Sequence, residues 1–301
     1  MTSLPGGMPA ASRDLLGHGP NPPNPHWPGG ARLALSFVVN VEEGAELSLL
    51  SGDDRNESLP EAAQRIEGAP DPGMESHFDY GARVGLWRIL DAFDRYGLKA
   101  TFSCCGRAIA ATPVLAAAPH ERGHEVSAHG WRWEVQAGMQ ENTERAVIAA
   151  TVDAIRKATG ERPVGWHSKS AASLNTRRLL IEEGGFLYDS DAYDDEIPRF
   201  APGSRHVILP YCFDTNDMRF APGGGFVQAE DFSRYCIGAI DWLLGQPGPG
   251  RMLSIGLHLR LIARPGRMAG LEAILRYVAG RPDIWVARRR DIARHWRGCR
   301  G

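Results

Sequence analysis

Two adjacent carboxylates, Glu42 and Glu43, follow the apolar stretch LALSFVV (33–39), with Gly44 next to allow a tight turn. Neighbouring side chains leaving a strand point in different directions, so one carboxylate can face a substrate while the other meets a metal or orients its partner. His129 and His258 each end another apolar stretch. Amide hydrolysis needs a base for water and an acid for the departing nitrogen, and a carboxylate with a histidine supplies both at neutral pH. Asn40, Ser103, Cys104, His167, Ser168, Asp189, Asp191 and Tyr211 stand at the ends of apolar stretches too. Each alone reads as a cap or turn residue. Together, at seven ends, they point to one catalytic face.

Such a face needs parallel strands that all end on the same side. Short apolar stretches near 33–39, 98–103, 125–128, 163–166, 186–188, 206–210, 251–257 and 283–287 read as buried strands. Helical periods lie between them, the clearest being YGARVGLWRILDAFDRYG, with Val84, Trp87, Leu90 and Phe93 on one face. ENTERAVIAATVDAIRKATG, LNTRRLLIEEGG, with Asn175 or Thr176 as N-cap, and AEDFSRYCIGAIDWLLG are three more. This alternation predicts an α/β fold, a distorted (β/α) barrel of seven to eight parallel strands over 31–301, preceded by an extended Pro/Gly-rich arm, 1–30, pinned at Trp27. The charged segment 52–79 interrupts the alternation, and insertions of this kind cap an active site or meet another subunit, so a homo-oligomer is expected.

The chain has 301 residues, with 34 basic against 36 acidic side chains and a formal net charge of -2. Nothing in that balance calls for nucleic acid or an anionic membrane as partner, which leaves a small molecule as the expected ligand. Five cysteines without metal-site spacing read as reduced thiols. The first thirty residues carry prolines and glycines where an export signal needs an apolar run, so a cytoplasmic location is expected.

The segments SFVVNVEEG (36–44), GHEVSAHGWRWE (123–134), ERPVGWHSKSAASLNTRRLLIEEGGFLYDSDAY (161–193), LPYCFDTNDMRF (209–220) and LSIGLHLRLIARPGR (253–267) resemble, in order and spacing, the NodB-type polysaccharide deacetylases, enzymes of carbohydrate metabolism. Within that superfamily the chain is similar to the cofactor-independent, allantoinase-like branch, and the resemblance runs from Arg13 to about Arg267. It implies that Glu42 and Glu43 stand where a catalytic base and a metal-binding aspartate usually stand. It implies that His129 is the first of two metal histidines, the second being replaced by Trp133. A zinc site holds three protein ligands, so with this replacement no metal is expected, unless Glu134 or His167 joins Glu43 and His129. The resemblance further implies that Arg162, beside Pro163, holds the catalytic carboxylate, that Asp189 lines the groove and that His258 is the general acid.

Trp131 and Trp133 are expected to wall the pocket, and Asn216, Asp217 and Arg219 to contact a ureide or imide ring, or else to form an Asx-rich turn. His167, in the stretch HSKS (167–170), borders the same pocket and departs from what the resemblance implies for allantoinase itself. The resulting expectation is a cofactor-independent hydrolase that opens a small cyclic amide or ureide, using Glu42, Glu43, His129, Arg162 and His258. Two alternatives stay open: a zinc-dependent N-deacetylase of polysaccharides, and an inactive barrel that binds a carbohydrate or a protein.

Overall fold

The computed structural model describes residues 14–59, 64–169 and 171–299. Residues 1–13 of the expected arm, 60–63 of the insertion and Ser170 of HSKS lie outside them.

Nine strands form one sheet: β1 (Leu33–Val41), β2 (Thr101–Cys104), β3 (Glu125–Ala128), β4 (Gly165–Trp166), β5 (Tyr188–Asp189), β6 (Arg199–Phe200), β7 (Val207–Ile208), β8 (Arg251–His258) and β9 (Ile284–Val286). Their order is β6-β7-β5-β4-β3-β2-β1-β8, with β9 also on β1, and every pairing is parallel except β6 with β7. All eight apolar stretches of the sequence become the eight parallel strands. β1 is buried along its whole length and pairs with β2, β8 and β9, which is why its sequence is an apolar run without alternation. The sheet curls into a distorted barrel that stays open between β6 and β8. Loops stitch that seam: Cys212 N donates to Ser254 Oγ (3.0 Å), Gly256 N to Thr215 O (3.0 Å) and Met252 N to Glu196 O (2.8 Å).

The helix Pro72–Tyr80, in the charged segment, continues through a π-helical turn, Gly81–Gly85, into the helix Leu86–Arg95. The widened turn shifts the phase of the apolar stripe, so the buried face carries Leu86, Ile89, Leu90 and Phe93, while Trp87 is exposed. Two glycines explain why the turn fits here: a Cβ at Gly81 would lie 2.2 Å from Glu43 Oε1, and one at Gly85 2.3 Å from Leu259 O. The other three expected helices form as Glu141–Thr159, Thr176–Glu183 and Ala229–Gly245. Asn175 takes the cap position of the second, but its side chain accepts from Arg178, and Ser173 Oγ receives the Asn175 and Thr176 backbone N–H groups. A last helix, Arg289–Cys299, was not legible in the sequence. Trp27 is buried, and its Nε1 donates to Arg251 O (2.9 Å). Among the described residues no helix is long and apolar enough to cross a membrane.

Candidate active site

Alternation along β1 and beyond its end separates the acidic pair. Asn40 and Glu42 face a cavity of about 190 Å³ at the carboxyl ends of the strands, while Glu43 turns outward against Gly81. β8 lies in register with β1, placing His258 opposite Asn40; β3 and β4 end at His129 and His167 on the same rim. Trp133, Ser168, Lys169, Tyr211, Phe213, Asn216 and Met218 complete the lining.

Glu42 is the hub. Its Oε2 accepts from Arg260 Nη1 (2.6 Å), and its Oε1 lies 3.5 Å from His129 Nε2 and 3.6 Å from His258 Nε2. Burial pushes its pKa up, but Arg260, His258 and His129 together outweigh burial and hold it well below the usual carboxylate range. Glu42 is therefore ionised at neutral pH. Glu43 has the opposite balance: burial, reinforced by Glu42 and opposed by Arg260, raises its pKa to about 7. Its Oε2 accepts from the Glu42 backbone N–H (2.9 Å), so it braces the turn that carries Glu42.

His258 is held by Asp217. Nδ1 donates to Asp217 Oδ1 (2.6 Å), and Asp217 Oδ2 accepts from the backbone N–H groups of His258 (2.8 Å) and Ile262 (3.1 Å). Burial alone would lower the pKa of His258; the carboxylates of Asp217 and Glu42 overcome it and raise the pKa above the ordinary imidazole value. This shift favours the protonated ring, whose Nε2 is turned to the cavity. His129 is oriented from behind: its Nδ1 faces the carbonyl oxygen of His167 at 2.6 Å, and a carbonyl can only accept, so Nδ1 carries a proton and Nε2 is presented to Glu42. His167 has neither ring nitrogen hydrogen-bonded, and burial, with His129 and Arg289, drives its pKa down, leaving a neutral imidazole at the wall.

Family models place residues 68–186 in a domain described as "Polysaccharide deacetylase". A putative polysaccharide deacetylase of Schizosaccharomyces pombe is 37% identical over 95% of this chain and 97% of its own length. The chain belongs to the polysaccharide deacetylase family. Among solved structures, a probable polysaccharide deacetylase from Pseudomonas aeruginosa PAO1 shares 46% identity with a TM-score of 0.89, covering 95% of this chain and 98% of that one. A PuuE allantoinase shares 43% identity with a TM-score of 0.90, covering 96% and 98%.

Several of the deacetylase-family motif residues stand elsewhere than the sequence implies. Arg162 precedes β4, at the opposite end of the strand from the cavity, and pairs with Glu183 at the surface (2.8 Å); the arginine bonded to Glu42 is Arg260. Asp189 is sealed by an ion pair with Arg177 and a hydrogen bond with His206, and it does not line the cavity. Asp217 is fully buried behind His258, bonded to its Nδ1, and does not line the cavity. Trp131 packs over Gly106 and lines a separate cleft with Ile109 and Ala154. Arg219 bonds Gly224 O and Asp214. Glu42, His129, Trp133, His167, Asn216 and His258 do come together. Asn40 and Tyr211, read in the sequence as strand-end residues, belong with them, as do Lys169 and Arg260, which were not singled out; of the last two, Arg260 carried a signal, an arginine set between apolar residues in LHLRLIA.

The metal that the wider family resemblance implies does not fit these residues. Trp133 takes the second histidine position, Glu43 faces Gly81, and Glu134 does not line the cavity. Arg260, bonded to Glu42, already supplies positive charge where a metal would compete for the same carboxylate, and His258 stands beside it with a raised pKa. Among the described residues no three His, Cys, Asp or Glu side chains are grouped to hold a metal ion.

Proposed function

We propose that this hydrolase of the deacetylase family opens a small cyclic amide or ureide, allantoin or a related imide, without a metal. The observation that carries the reading is one ionised carboxylate, Glu42, flanked by His129 and by an aspartate-backed His258 in a cavity of about 190 Å³. Pockets for drug-sized ligands begin near ~300 Å³, so this one suits a single small ring.

Glu42, assisted by His129, takes a proton from water as the water oxygen bonds to the ring carbonyl carbon. Negative charge grows on the carbonyl oxygen, and the positive field of a protonated His258, itself buried, stabilises it. The carbon–nitrogen bond then breaks, and His258 delivers the Nε2 proton to the nitrogen. Water has added OH to carbon and H to nitrogen. The proton on Glu42 returns to His258 across their 3.6 Å separation, restoring the starting state.

The names of the S. pombe and P. aeruginosa relatives favour a second reading, deacetylation of polysaccharides. One preparation assayed against allantoin, hydantoins and imides, and against N-acetylglucosamine oligomers, with and without chelator, separates the two. Ring opening that survives chelation, with no acetate released, is the expected result. Acetate release lost on chelation would establish the deacetylase reading instead.

A further inference from the structure

The cavity holds one charge that the hydrolytic steps do not use. Lys169 lines it, with Nζ 3.3 Å above the centre of the Trp133 ring and donating to Trp133 O (3.2 Å). The ring and the carbonyl fix the ammonium in place, and an ammonium has three donors, so this anchoring leaves donor capacity facing the cavity. The other charged groups at the wall are answered at contact, Glu42 by Arg260 and His258 by Asp217. No carboxylate among the described residues pairs with Lys169; Glu57 and Glu42 act on it only through their fields. Burying most of a cation without a contact partner is costly, and such a cation favours an anion brought in by a ligand.

The neighbouring wall suits the rest of such a ligand. His167 offers a neutral ring with both nitrogens open, one able to donate and one to accept, and Tyr211, Phe213 and Met218 give an apolar side. Resting on the ring-opening reading above, we propose that Lys169 is a specificity-determining residue that selects cyclic ureides or imides bearing a carboxylate substituent. The ring then lies between His167 and the apolar side with its carbonyl at Glu42, and the carboxylate reaches the ammonium over Trp133.

The test compares hydantoin with hydantoin carrying an acetate side chain, using the full chain, Lys169→Met and Lys169→Arg. Wild type is expected to show the higher kcat/KM on the acid. Lys169→Met should reduce the acid-to-neutral ratio about tenfold or more, through KM, as expected for loss of a charge-assisted hydrogen bond, and Lys169→Arg should retain part of it. A ratio unchanged in Lys169→Met overturns the proposal. So does a loss in kcat shared equally by both rings, which would make Lys169 a group acting on the transition state. Binding of the hydantoin acetate to Glu42→Gln, measured by calorimetry with and without Lys169→Met, covers the remaining case. If wild type opens neither ring, the hydrolytic reading fails; affinity weakened by the lysine change still supports the anion site, and unchanged affinity overturns it.

Discussion

Two buried aspartate–histidine pairs are built into this barrel from the same residue types. Asp189 meets His206 Nε2 at 2.9 Å, and Asp217 meets His258 Nδ1 at 2.6 Å. In the first pair nothing is left over: His206 Nδ1 faces Phe186 O at 3.4 Å, and Arg177 holds both Asp189 oxygens, at 2.8 and 2.9 Å. Burial resists ionisation of Asp189, but His206 and Arg177 prevail and bring its pKa to about 2. In the second pair the aspartate spends its spare oxygen on backbone N–H groups, and His258 keeps Nε2 for the cavity and for Glu42. A closed pair ties loops together. An open pair, whose histidine has one nitrogen anchored and one exposed to a cavity, can move a proton.

The largest expected effect lies at the hub of the open pair. Glu42→Gln keeps the shape and removes the base, and kcat should fall about a hundred- to ten-thousand-fold. Circular dichroism should show an intact fold. Near wild-type turnover by this variant would mean that His129 alone activates water.

Asp217→Asn probes the anchor, and its signature is pH. His258 has a raised pKa, so its acid form is complete below the ordinary imidazole value and is lost only as pH climbs through the raised one. The alkaline limb of kcat/KM should therefore lie above that ordinary value. The acid limb, set by Glu42, should lie below the usual carboxylate range. Asp217→Asn removes a cause of the upward shift, so the alkaline limb should move to lower pH while kcat drops about a hundredfold. An alkaline limb that stays in place would separate Asp217 from the titration of His258.

The closed pair should answer in stability instead. Asp189→Asn leaves Arg177 beside His206 without its carboxylate; because Arg177 is 34% exposed and partly screened, the cost should fall below the ~3–5 kcal/mol of a fully buried pair. Chemical denaturation should register that loss, with kcat of the folded fraction unchanged. A large drop in kcat from folded protein would make the Asp189 cluster part of the catalytic machinery and dissolve the distinction between the pairs.

This contrast marks where the sequence stops being legible. The eight parallel strands were readable because strands buried on both faces leave unbroken apolar stretches. β6 was not, because Arg199 and Phe200 are only half-buried and carry no such pattern. The helix Arg289–Cys299 was hidden because its apolar contacts, Ile292, Ala293 and Trp296, stand among four arginines and a histidine. At the site, residues that end strands were found, because topology sends every strand end to one face. Pairings between distant segments were not: Arg260 reaches Glu42 across 218 positions and His258 reaches Asp217 across 41, and spacing records neither. Asp189, at a strand end, and Asp217, in an Asx-rich stretch, both read in the sequence as pocket acids; only the packing decides which of them backs a histidine that faces the cavity.

The smallest expected effect completes the comparison, because it concerns an arginine that family position would put on the open side. Arg162 was expected to hold the catalytic carboxylate, but the arginine bonded to Glu42 is Arg260. The Arg162 side chain is 39% exposed and its partner Glu183 26%, an arrangement worth about 0–1 kcal/mol because solvent screens it. The guanidinium also covers Gly185 and borders the Phe186 ring at 5.8 Å, so some packing goes with the charge. Arg162→Ala should therefore lower the unfolding midpoint slightly and leave kcat/KM and both pH limbs where they are. Arg260→Lys gives the contrasting result. It keeps a cation but loses the planar group packed between Phe78 and Trp133, so Glu42 should be less well held and the acid limb should rise toward the ordinary carboxylate range. If Arg162→Ala shifted the acid limb as Arg260→Lys is expected to, the field of a surface arginine would be reaching the cavity through the barrel.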